Sequence, residues 1–214
     1  MNVTELWSRV EQVVSDNAAA LRAMCTSGEL YGWAVEQGMV GPILWPIVRT
    51  ELMRQIGVDW EEMHAKELDR FSKALRAEAA ESRAIIELYA AGSDDHSVYA
   101  VCDVDGRPIV CRHFHAEDRF YQRGDQLSAD MSAAEKAVWL AGKACAAAGA
   151  ASCAMTLHVA SLFIEPDILA PLARRWHIWL DLDVRANNPA VQLCHEPEFR
   201  DWHEVSLANL VSRV

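Results

Sequence analysis

The chain is short of positive charge: 20 lysines and arginines face 31 aspartates and glutamates, a net −11 over 214 residues. Such a chain repels the phosphate backbone of nucleic acid and an anionic membrane surface, and it favours a basic protein or a cationic ligand. It also lacks any apolar run near the roughly 18 residues needed to span a bilayer. Met1-Asn2-Val3-Thr4-Glu5-Leu6-Trp7 offers no basic region ahead of an apolar core, so no secretory signal is expected. There is no Cys-x-x-Cys pair, GxSxG elbow, P-loop, GxGxxG fingerprint or HExxH helix. Those absences weigh against zinc ribbons, thioredoxin-like proteins and the commonest hydrolases, NTPases and dehydrogenases.

What is present is an ordinary globular composition, 51% hydrophobic and 24% charged. A sizeable core is possible without staples. Six cysteines, at 25, 102, 111, 145, 153 and 194, are expected to be free thiols acting as small buried hydrophobes in a reducing cytoplasm.

The pattern changes near residue 92. Before it the chain reads as helical. Asn2 and Glu5 suggest a cap, Leu6, Val10, Val13, Val14 and Leu21 form one stripe, and Gly28 stops it. Two short buried helices follow within 29–57, broken at Gly41-Pro42. A long helix is then expected from Asp59 to about Ala91. Gly92-Ser93-Asp94-Asp95 is the one candidate boundary, near 92–96, inside what is otherwise expected to be a single domain over 1–214.

Beyond it the period falls to two. Val98–Cys102 and Ile109–Cys111 flank Asp105-Gly106, a hairpin signal spanning about 97–114. Ser132 and Glu135 box the start of an alanine-faced helix. A strand over about 153–163, a helix from Glu165-Pro166 to about Arg175 and a strand over 177–185 suggest a crossover unit. Asn187-Asn188-Pro189 reads as a loop and 198–212 as a last helix. The fold class expected is α+β: a helical N-terminal half packed with a mixed sheet of about four strands.

Several constellations could carry chemistry. With a two-residue loop, Ala100 faces Cys111, Val98 faces His113 and His96 faces His115. His96, His113 and His115 would then share one face and could hold a zinc-like ion, although a histidine cluster at a sheet edge does this only with the right geometry. Asp103/Asp105 and Asp181/Asp183 match a DxD spacing that can serve a divalent cation, but the turn and the pleat explain them equally. Cys194, His195, Glu196, His203 and Glu204 cluster in sequence, which proves nothing about spatial adjacency. No cofactor is expected.

The outward face of strand 177–185 carries His177, Trp179, Asp181, Asp183 and Arg185, with Trp176 beside it. An exposed indole flanked by carboxylates suits a basic protein partner, the ring as anchor and the acids for steering. An ordinary solvated face, with the indole under a helix, would look the same in sequence. Of eight tryptophans, Trp7, Trp33, Trp45, Trp60 and Trp139 lie in apolar stripes, whereas Trp176, Trp179 and Trp202 lie in the polar C-terminal part.

The stretch MTLHVASLFIEPDILAPLA from Met155, followed by LDLDV from Leu180, resembles the strand–helix–strand ending of uncharacterised bacterial domains, some similar to immunity proteins that neutralise toxins. The resemblance implies a small acidic binding protein and no particular site residue. The expectation is thus a non-enzymatic immunity-type inhibitor of a toxin or other basic enzyme, with Trp176, Trp179, Asp181 and Asp183 at the contact. The alternatives are a metal-dependent or Cys/His enzyme acting on a small molecule, and a structural subunit docking through its helical half.

Overall fold

The computed structural model describes residues 3–213, so the expected Asn2 cap lies outside the described residues. Two compact units divide the chain, residues 1–72 and 73–214, and the division falls inside a helix.

The first unit is helical: α1 (Val3–Asp16), α2 (Ala18–Ala23), α3 (Ser27–Glu36), α4 (Leu44–Glu51) and the first half of α5 (Trp60–Ser82). Gly28 lies inside α3 rather than ending a helix, because Thr26 and Glu29 make a complete capping box that starts α3 one residue earlier. The break at Gly41-Pro42 separates α3 from α4 as expected. Val10, Val14, Leu21, Leu30, Met39, Val48 and Leu52 fill the core without exposure. Trp33 joins them, but Trp7 remains 37% exposed, against expectation.

The second unit is α+β. After α5 come β1 (Ala84–Ser93), β2 (Val98–Cys102), β3 (Pro108–His113), α6 (Gln126–Ala147), β4 (Cys153–Val159), α7 (Pro166–Arg175), β5 (Ile178–Val184), α8 (Pro189–His195) and β6 (Ser212–Arg213). The sheet order is β3-β2-β1-β4-β5, with the short β6 beside the start of β1. β1, β2 and β3 form an antiparallel meander, and β1, β4 and β5 run parallel.

Three expectations are corrected. The long helix does not reach Ala91: it ends at Ser82, Arg83 takes a left-handed φ of 51°, and the chain becomes β1, the central strand. The boundary signal at 92–96 is the turn from β1 to β2. The last helix over 198–212 is instead a bridge from Arg200 to Cys111 of β3, two 3₁₀ turns and β6.

The hairpin keeps its expected register, with Ala100 opposite Cys111 and Val98 opposite His113. The loop, however, is longer than two residues. Asp103 pairs back to Arg107, Gly106 is left-handed at φ 77°, and a bulge beyond Val101 restores the register.

One face of the sheet is closed by α6. Its Ala133, Ala137, Ala141 and Ala144 are fully buried in a cluster with Ile86, Leu88, Met155, Leu157 and Ile178. Cys145 of α6 and Cys153 of β4 are joined as a disulfide, contrary to the expectation of six free thiols, while Cys102, Cys111 and Cys194 are buried and free. The two cysteines, eight positions apart in sequence, are brought together by the tight return from the end of α6 to the start of β4. Closing so short a loop is worth about 2.5 kcal/mol. Cys145→Ser/Cys153→Ser is therefore expected to lower the unfolding free energy by about that amount in a urea titration, and thiol titration of the denatured, unreduced wild type should return the four free cysteines.

Candidate protein-binding face

The other face of the sheet carries the site. Alternation along β1, β4 and β5 sends Leu88, Leu157, Leu180 and Leu182 towards α6. It sends Glu87, Tyr89, Thr156, His158, Trp179, Asp181 and Asp183 to the opposite side. The register sets them in neighbouring rows: Thr156 opposite Asp181, His158 opposite Asp183 and Tyr89 opposite His158.

His158 is the centre of this face and only 2% exposed. Its Nε2 lies 2.6 Å from Glu87 Oε1, and its ring stacks on Tyr89 with centroids 4.4 Å apart. Nδ1 is 3.1 Å from Asp183 Oδ2 but off the line of a hydrogen bond, so that nitrogen is within ion-pair distance yet has no hydrogen-bond partner among the described residues. Asp183 is also bound by Arg185 at 2.5 Å. One imidazole thus spans two carboxylates from flanking strands. Neither a hydroxyl nor a thiol is bonded to it among the described residues. The group lacks a nucleophile and acts as a clamp that fixes Glu87 and Asp183 on the sheet.

The remaining acid is free. Asp181 is exposed, and its carboxylate has no hydrogen bond or ion pair among the described residues. Beside it Trp179 is half-buried, with the Arg76 guanidinium of α5 5.0 Å from its ring centroid. Arg76 is itself exposed, and part of Trp179 remains accessible.

Trp176 is not on this face. It ends α7 and packs over Gly142 of α6, where a Cβ would come within 2.3 Å of the indole, and its Nε1 is buried without a hydrogen-bond partner among the described residues. The helix-to-strand turn at His177, with φ 52°, separates it from Trp179. Trp202 is half-buried too, edge-on to Trp139 at 5.3 Å.

The three candidate histidines are not assembled. His96 meets the ring of His195, with centroids 5.5 Å apart, while His113 lies on Phe199 at 4.8 Å and the His115 backbone is held by Asp118. No group of three or more His, Cys, Asp or Glu among the described residues is disposed to hold a metal ion. Asp103 spends its carboxylate on the backbone of Asp105 and Arg107, and Asp105 pairs with Arg107. In the C-terminal cluster Cys194 bonds to the Ala91 carbonyl, and burial pushes its thiol up to about 12. His203 is bound instead to Asp201.

A further polar group, in the first unit, is not evident in the sequence. Ser27 Oγ donates to Glu67 at 2.6 Å and lies 3.0 Å from His64 Nδ1. Here the serine is the middle member. An activated nucleophile needs the histidine in the middle, so this arrangement ties down the start of α3 and does not prepare an attack.

Comparison with protein-family models, curated proteins and solved structures finds no match to this chain.

Proposed function

We propose that the chain is a non-enzymatic acidic binding protein of the immunity type, which neutralises a toxin or other basic enzyme by covering its active cleft. The observation that carries the reading is Asp181: an exposed, unpaired carboxylate on β5, flanked by Trp179 and Asp183, with Glu87 on the same side of the sheet. Arg76 supports the partner's chemistry, because the Trp179 ring already accepts a guanidinium that a partner's lysine or arginine could replace. The net charge of −11 would speed the encounter with a basic surface. Leu162 and Phe163, 79% and 76% exposed, follow the C-terminal end of β4, the end of the parallel strands that carries Asp183, and add an apolar anchor there. A cytoplasmic setting and a bacterial toxin as the target belong to the same reading. The Cys145–Cys153 disulfide is the feature that fits an oxidising compartment better.

The test is affinity capture followed by identification of what is held. Wild type is expected to retain a basic protein. Trp179→Ala should weaken that complex by about 30-fold, mainly through faster dissociation. Asp181→Lys should slow association about tenfold at low salt and lose its effect at high salt. Capture of no basic protein, or equal capture by both variants, overturns the reading.

A further inference from the structure

We propose that the outer edge of β5 accepts an added β-strand from the partner, an extended segment with lysine or arginine at alternate positions; this rests on the acidic-face reading above. β5 ends the sheet and is paired on one side only. Cys153 donates to the His177 carbonyl and Arg185 donates to Val159, with Cys153 opposite Ile178 and Val159 opposite Val184. In a parallel ladder with those ends, the N–H and C=O groups of Ile178, Leu180, Leu182 and Val184 point away from β4. Four residues thus offer an unpaired template along one edge.

The two edges of the sheet are treated differently. β3 is covered: Arg200 and Cys111 exchange backbone hydrogen bonds, and the Arg200 side chain reaches the Pro108 carbonyl. β5 has no such cover among the described residues. Of the usual protections it holds only charge, on Asp181 and Asp183: it has no proline or lysine, and its seven pairs with β4 run without a bulge.

Charge selects the occupant. On an added strand, alternate side chains would lie beside Trp179, Asp181 and Asp183, and the others beside Leu180 and Leu182. A second copy of β5, paired antiparallel about its centre, would set Asp181 against Asp181, and like charges directly opposed are destabilising. A strand alternating basic and apolar residues meets both rows.

An octapeptide of alternating lysine and valine tests this with the wild-type protein at low salt. Two analogues keep its charge, one methylated on the lysine backbone nitrogens and one on the valine nitrogens. The expected result is binding of the parent peptide, amide exchange at Leu180 and Leu182 slowed by about tenfold or more, and loss of binding by one analogue. Equal binding of all three peptides without slowed exchange overturns the added strand while leaving the acidic-face reading standing. Failure of the parent peptide to bind overturns both.

Discussion

Gly92→Ala is expected to destabilise the sheet-containing unit by about 3 kcal/mol, a large part of the net stability of an ordinary domain. A Cβ at this position would meet the Ala129 carbonyl oxygen at 2.3 Å and its carbon at 2.4 Å. Both are backbone atoms of α6, so no side-chain rotation relieves the overlap; the helix has to move off the sheet. That movement breaks more than packing. Gly92 N–H donates to Asp130, and its carbonyl accepts from Gln126. Asp130 is 6% exposed, and burial holds its carboxyl above the ordinary aspartate range, so it has few other partners to turn to. Gly28→Ala is the control: nothing lies within 4 Å of its added methyl, and inside α3 alanine is the better helix former. Urea titrations of both variants check the contrast. A Gly92→Ala protein as stable as wild type would mean that α6 does not lie this close to β1.

What the sequence made legible, and what it hid, follows from how local each signal is. β5 could be read because four apolar residues alternate with polar ones over a buried face, and the hairpin because Asp105-Gly106 sits between two β-rich runs. β1 could not. Its Ile85, Ile86 and Tyr89 continue the helical stripe of α5, and the helix is stopped by Arg83 in a left-handed conformation, a job for which glycine is the usual sign. α8 did have its signal, since Asn188 caps it and Pro189 takes the first helical position, yet the same residues suit a loop. The candidate site was half visible for the same reason. Trp179, Asp181 and Asp183 follow from the alternation of one strand. Glu87 required β1 to be a strand at all, and His158 required knowing that β4 lies between β1 and β5, a long-range fact that no local pattern carries. Trp176 looked like a neighbour of Trp179 because a left-handed His177 leaves no local trace.

His158→Ala is expected to cost about 3 kcal/mol and, separately, to weaken capture of the basic partner by about tenfold. The stability loss comes from a hydrogen bond to a charged carboxylate, worth about 1.5–3 kcal/mol, and from the ring stack on Tyr89, worth about 1 kcal/mol. His158→Phe divides the two, because it keeps a stacking ring and removes the bond to Glu87. The binding effect has a different origin. His158 is itself too buried to touch a partner, so its contribution must pass through the carboxylates that it holds. Without the clamp, Glu87 regains rotamer freedom that docking must then remove, at about 0.5–1.5 kcal/mol for a side chain, while Asp183 keeps Arg185 but loses the nearby imidazole. Affinity should therefore fall in His158→Phe even under conditions where denaturation curves show it fully folded. It should fall further in His158→Ala, and it should be unchanged when Ser27, in the first unit, is replaced. If folded His158→Phe holds the partner as tightly as wild type, His158 supports the sheet alone, and Asp181 with Trp179 must supply the contact without it.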